Sequence, residues 1–251
     1  MNEPSSGRHG TGVAAHYDRL LAEHYSWMFG DFAAKVAGER TLLAGLGLGA
    51  GGGERALDLG CGSGFQSLAL AELGFAVTAV DTCRRLLDEL DSRKGGLPVA
   101  TREAPIESVG RILAPGFAVA VCMGDTLPHL SSTAAVAALF SDLAVLLRPQ
   151  GRVVLGFRDQ SRELFGTDRF IPVRADDDRI MTCFLEYEPE AVVVHDLVYS
   201  RRKGAWSLEK SSYRKLRLSA AGVSGMLEAA GFAVLRTETV GGMSLIVAEG
   251  I

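Results

Sequence analysis

The chain has 251 residues, 22% of them charged and 47% apolar, with a formal net charge of −4 at pH 7. That balance is ordinary for a globular domain and argues against nucleic acid as the main partner, because phosphate neutralisation needs a basic face. Glycine is in surplus, 30 residues against 8 prolines, and without a Gly-X-Y period this excludes collagen-like chains and predicts backbone positions that only glycine fills.

The first stretch, MNEPSSGRHGTG, is polar and lacks the apolar core of a signal peptide, and no apolar run is long enough to span a membrane. Cys61, Cys83, Cys122 and Cys183 match neither a zinc spacing nor a disulfide framework, which points to a cytoplasmic chain. Tyr17, Leu20, Leu21, His24, Tyr25 and Met28 recur at the spacing of one helix face, predicting a helix over 14–29. Asp31 is placed to cap a second helix that runs to about Leu43. The run GLGLGAGGG (45–53) holds six glycines and reads as a linker, because its backbone entropy opposes packing.

Beyond it, short apolar runs alternate with helical stretches. ALDL (56–59), AVTAV (76–80), LPVAT (97–101), FAVAVCM (117–123) and GRVVLGF (151–157) read as strands. Helices are predicted over 66–73, around 84–90, and from Ser131 or Ser132 to the RPQG stop at 148–151. Continuous apolar strands alternating with helices mean a parallel sheet covered on both faces. From 168 to 218 the pattern turns to β runs without helices: RIMTCFLEYE, AVVVHDLVYS and SLEKSSYRKLRL, the last two joined by RRKGA (201–205) as a hairpin. A helix over 219–230 then precedes FAVLRTETV and SLIVAE, joined through GGM as a closing antiparallel hairpin.

The first strand runs into Asp58-Leu59-Gly60-Cys61-Gly62-Ser63-Gly64, and a helix follows at once. Glycines at a strand-to-helix turn let a ligand reach the backbone, where helix N–H groups are unpaired. The second strand ends in Asp81, a carboxylate placed to accept the hydroxyls of a ribose. A nicotinamide-dinucleotide fingerprint would need its third glycine where Phe65 stands. GLGLGAG imitates that fingerprint, yet no strand precedes it and no ribose acid follows it.

The set D-x-G-x-G-x-G after a strand, an acid at the end of strand 2 and a terminal hairpin resembles the class I S-adenosylmethionine-dependent methyltransferases, over about residues 54–250. The resemblance implies a Rossmann-like, seven-stranded mixed sheet, mostly parallel with an antiparallel last strand, helices on both faces and an inserted antiparallel β lid. It implies S-adenosylmethionine as cofactor, with no metal. Gly60, Cys61, Gly62 and Gly64 would form the loop at the methionyl moiety, with Asp81 and Thr82 at the ribose. Asp58 would organise the loop and the cofactor's amino group, and Glu103 with Ala104 would lie beside the adenine. The end of strand 4, including Met123, Gly124 and Asp125, would line the methyl-transfer site. VCMGDTLPHL (121–130) is similar to a C-L-G-N-S-x-x-H-L segment of small-molecule N-methyltransferases related to glycine N-methyltransferase, with Met123 in place of Leu and Asp125 in place of Asn. No N-P-P-Y type motif of the nucleic-acid enzymes occurs.

Each candidate has an ordinary reading beside the functional one. Asp125 binds a cationic acceptor or takes its proton, or else caps the turn after a strand. His129 orients or deprotonates the acceptor, or holds its own loop. Tyr17, Tyr25 and Trp27 fold over the cofactor, with Tyr17 and Tyr25 reaching the acceptor, or are plain helix packing. The basic run Arg201, Arg202, Lys203, Lys210, Arg214, Lys215 and Arg217 grips an acidic acceptor or is a solvated strand edge; Arg158, just after strand 5, is better placed for such a grip. The organisation expected is a cap with linker over 1–53, a cofactor core over 54–160, an acceptor lid over 161–218, and a helix and hairpin over 219–251 that complete the core. The function expected is in-line methyl transfer to a small molecule, without nucleic acid or membrane partners; oligomeric state is not legible. The alternatives are a non-catalytic sensor of the same ligand and, further off, a nicotinamide oxidoreductase.

Overall fold

Strands that are apolar on both faces must be covered twice, and the alternating helices supply both layers. The computed structural model describes residues 12–49 and 51–251. It opens with α1 (Val13–His16), one π-helical turn (Tyr17–Leu21) and α2 (Ala22–Met28), which together replace the single helix expected over 14–29. Helix α3 (Phe32–Gly45) follows, and the Asp31 carboxylate accepts the Ala34 N–H as its N-cap.

Then come β1 (Arg55–Leu59), α4 (Phe65–Glu72), β2 (Ala76–Asp81), α5 (Arg84–Arg93), β3 (Val99–Glu103), the short α6 (Val109–Ile112), β4 (Phe117–Cys122), α7 (Thr133–Leu146) and β5 (Leu147–Phe157). Strands β6 (Phe170–Ala175), β7 (Arg179–Tyr187), β8 (Ala191–Arg202) and β9 (Ala205–Leu216) form the insertion. Helix α8 (Ala220–Ala229) leads into β10 (Phe232–Val240) and β11 (Met243–Gly250).

The main sheet has seven strands in the order β10-β11-β5-β4-β1-β2-β3; β1 to β5 are parallel, and β11 runs antiparallel to both of its neighbours. One face carries α7 and α8, whose Phe140, Leu143, Val223 and Leu227 bury Leu57, Phe157 and Ile246. The other carries α3, α4 and α5, with Leu43, Leu68 and Leu90 against Val77, Val121 and Val247. The β insertion is a separate antiparallel sheet, β6-β7-β8-β9. Its turns follow the sequence: Lys203 and Gly204 both have positive φ between paired Arg202 and Ala205, the geometry of a two-residue hairpin turn.

Two expectations are corrected here. The run 45–53 is not all linker: its first half ends α3 in a Schellman cap. The Leu48 N–H donates to the Leu43 carbonyl, the Gly47 N–H to that of Ala44, and Gly47 takes a φ of +76°. Leu48 is then buried with Leu43, so Leu–Gly alternation there is a stop signal with an apolar anchor. The RPQG stretch is also part of β5: pairing shifts from Phe117↔Leu147 to Val119↔Arg152, and Gln150 takes positive φ within that irregular stretch.

The first helices lie against the insertion. Leu20 and Leu21 pack with Met181 and Val198 of its inner face, and Trp27 donates its indole N–H to Asp176. Among the described residues no helix is long and apolar enough to cross a membrane.

Candidate cofactor and acceptor site

Strand β1 ends where backbone must turn sharply into α4. Gly60, Gly62 and Gly64 all take positive φ, and the Gly60 and Cys61 N–H groups donate to the Val80 carbonyl, tying the loop to β2. A side chain on Gly60 would meet Thr126 at 2.2 Å, and one on Gly62 would lie 2.9 Å from the Tyr25 hydroxyl. Gly64 serves another purpose: a Cβ there would strike Leu90 at 2.2 Å, so this glycine permits α4 and α5 to approach, and it lines neither of the two cavities described below.

Asp81 at the end of β2 closes the loop from the other side. Its Oδ2 accepts the Gly62 N–H and its Oδ1 the Cys83 N–H, each at 2.8 Å. Burial raises its pKa while these two N–H donors pull it back down. Beneath it, Asp58 is fully buried with the Ser67 hydroxyl donating to Oδ2 at 2.5 Å. Burial, only partly offset by that hydroxyl, pushes the Asp58 carboxyl up to about 7.

Gly60, Gly62, Asp81 and Thr82 meet at one cavity of about 200 Å³, together with Tyr17, Tyr25, Ile106, Glu107, Thr126 and His129. A second cavity of about 370 Å³ shares Tyr17 and Tyr25 as its wall and continues past Gly124, Asp125 and Arg158 to the inner face of the insertion. Burial, with Asp81 next for Tyr25, raises both phenols, so both stay protonated donors at neutral pH. Tyr17 lies in the π-helical turn, a device that often re-aims a side chain at a functional site.

Asp125 is held in the left-handed region at φ +72°, a strained setting for a non-glycine residue. The Arg158 N–H donates to its Oδ1 at 2.9 Å and Lys215 Nζ to its Oδ2 at 2.6 Å. His129 is half-buried, but its Nε2 is sealed from solvent and has no partner. Burial first, then the Lys215 charge, lowers its pKa well below the ordinary value, so the ring is neutral.

Other expected site residues sit elsewhere. Glu103 is exposed as the last residue of β3, the edge strand that starts two residues later than expected, where it pairs with Asp81; Ala104 packs on the core and donates its N–H to the Asp81 carbonyl. Pro105, Ile106 and Glu107 line the cavity in their place. Cys61 and Met123 are buried in the core beside α4 and β5 and line neither cavity.

Asp196 and Tyr213 escape the sequence reading, and Lys215 entered it only as one cation of the basic run; all three lie on the inner face of the insertion. A signal existed: Val192, Val194, Asp196 and Val198 share one strand phase, so Asp196 is an acid on an apolar face. His16 Nε2 lies 2.8 Å from Asp196 Oδ2, and the Cys183 thiol donates to Oδ1.

The loop and cavity fit an adenosyl cofactor: the glycine cradle leaves no room for side chains, Asp81 faces the cavity, and Ser63 Oγ in the same loop is buried without a partner. Residues 56–151 match the family model for a methyltransferase domain. A ubiquinone biosynthesis O-methyltransferase of Xanthomonas axonopodis pv. citri is 32% identical over 115 residues, 45% of this chain and 46% of that protein. Its counterpart in Methylococcus capsulatus is 31% identical over 115 residues, 45% and 47%. The chain thus spans about half the length of the curated relatives it matches. Among solved structures, the amino pentose methyltransferase CalS10 of Micromonospora echinaspora superposes with a TM-score of 0.73 at 16% identity, covering 92% of this chain and 97% of that one. The sugar N-methyltransferase KedS8 of a Streptoalloteichus species does so at 0.73 and 18%, covering 100% and 98%. Residues 56–151 thus match a methyltransferase domain, and the chain as a whole shares the fold of these solved methyltransferases.

Proposed function

We propose that the protein transfers the methyl group of S-adenosylmethionine to a small-molecule acceptor. One observation carries this: the glycine loop and Asp81 meet at a cavity whose tyrosine wall is shared with a second cavity at Asp125. The cofactor, when bound, supplies a methyl already activated as a sulfonium. The protein's work is therefore positioning and exclusion of water, worth up to ~7–11 kcal/mol for a well-aligned pair.

Asp81 and Thr82 would hold the ribose, Ile106 and Glu107 the adenine end, and Gly60 and Gly62 the methionyl part, with Asp58 stiffening the loop from below. Tyr17 and Tyr25 would close over the junction. Asp125 and Gly124 would border the transfer point, His129 would accept a proton if the acceptor loses one, and Arg158 would meet the acceptor at the cavity mouth. In domain terms, 54–160 with 219–251 would bind cofactor, while the described part of 1–53 and 161–218 would cap it and enclose the acceptor; residues 1–11 and 50 of the expected cap lie outside the described residues. A cavity of about 370 Å³ and a net charge of −4 favour a metabolite over nucleic acid. The four free thiols suit a cytoplasmic setting.

Asp81→Ala removes a carboxylate that both organises the loop and faces the ribose. Calorimetry should show S-adenosylhomocysteine binding weakened about a hundredfold, the scale of two charge-assisted hydrogen bonds. Unchanged affinity would sink the assignment. A screen with labelled S-adenosylmethionine against metabolite pools should then show turnover.

A further inference from the structure

The second cavity holds a complete seat for an ammonium group, and the protein's own lysine is already in it. Lys215 reaches from β9 with its Nζ 2.6 Å from Asp125 Oδ2 and 5.4 Å from the centre of the Tyr213 ring. A carboxylate beside an aromatic face is the usual receptor for an alkylammonium ion. Both side chains of the ion pair are only 11% exposed. The other carboxylate at this cavity, Asp196, is engaged through both oxygens, by His16 and by the Cys183 thiol. Asp125's remaining oxygen is taken by the Arg158 N–H. Neither acid lining the acceptor cavity therefore offers an open face to a cation, and the sulfonium of a bound cofactor would add positive charge nearby.

We infer that Lys215 is a specificity-determining residue: by filling the ammonium seat it reserves the cavity for acceptors that present a hydroxyl, not an ammonium, at the reacting end. This rests on the methyltransferase reading for what the cavity is used for. An ammonium acceptor would have to displace Lys215 from Asp125 and leave it buried unpaired, whereas a neutral hydroxyl leaves the pair intact. The reaction then balances simply. The acceptor oxygen forms a bond to the methyl carbon as the carbon–sulfur bond breaks, and the hydroxyl proton passes to neutral His129 or to solvent. Asp125, its charge already matched, acts here as the anchor of Lys215.

The test uses two matched probes, benzyl alcohol and benzylamine, the latter cationic at pH 7, with binding followed by NMR on the full chain. Wild-type protein should prefer benzyl alcohol by about tenfold or more. Lys215→Met empties the seat, so benzylammonium affinity should rise at least tenfold, a gain that misfolding cannot produce. Lys215→Arg should keep the wild-type order. A wild-type preference for benzylammonium, or no gain in Lys215→Met, overturns the inference. The titrations are run with and without S-adenosylhomocysteine: failure of that ligand to bind refutes the methyltransferase reading, while the probe order judges Lys215 separately.

Discussion

Asp196→Ala is expected to lower the free energy of unfolding by at least about 2 kcal/mol, because the buried His16 ring and the Cys183 thiol each lose their hydrogen-bond partner, at about 1–3 kcal/mol for a buried group left unsatisfied. His16 is 0% exposed and Asp196 1%, and they join α1 to β8 across 180 positions of sequence. His16 Nδ1 already lacks a partner, so losing Asp196 leaves the imidazole wholly unsatisfied against the Tyr213 ring, 4.3 Å between centroids. The loss should be felt first in the cap: backbone amides of α1 and the π-helical turn should exchange faster than those of β1 and β4. Replacing both partners by apolar residues, His16→Leu with Asp196→Val, should cost clearly less than the two single changes added together. Denaturant unfolding measures the first effect and hydrogen exchange the second. A loss under about 1 kcal/mol for Asp196→Ala would mean that the pair does not hold the cap on the insertion.

The second large effect is a dependence on pH. With its folded pKa near 7 against an ordinary 3.8, Asp58 keeps a proton in the folded chain that the unfolded chain has released. The folded state therefore binds more protons between these values, and stability from this group is full below about pH 4 and falls as pH rises towards 7. Asp58→Asn removes that slope while its amide oxygen still accepts the Ser67 hydroxyl. Relative to wild type the variant should gain stability steadily from pH 4 to pH 7, by up to roughly 4 kcal/mol, and then level off. Parallel stability curves for the two proteins would show that Asp58 ionises freely.

The main sheet, its order of elements and the inserted β sheet were legible because each rests on a local signal. Period-two and continuous apolar runs located the strands, Asp31, Ser132 and Ser219 marked helix starts, and paired turn residues closed the hairpins. Gly60 and Gly62 were legible because a sharp strand-to-helix turn at positive φ writes itself in glycine, and Asp81 because it ends the second apolar strand. What sequence order hides is contact between distant elements. Gly64 looks like its two neighbours until Leu90 is placed opposite it. Lys215 looks like one cation of a basic edge strand until β9 turns it inward onto Asp125. Glu103 satisfied a motif by spacing, but it lies exposed on the edge strand β3, while Ile106 and Glu107 line the cavity.

A calorimetric titration of the wild-type chain with S-adenosylhomocysteine, repeated with NAD⁺, tests the assignment most directly. Binding of S-adenosylhomocysteine at one site per chain, competed by S-adenosylmethionine and untouched by NAD⁺, is the outcome that the glycine cradle and Asp81 demand. No saturable binding, or preferential binding of NAD⁺, would contradict it.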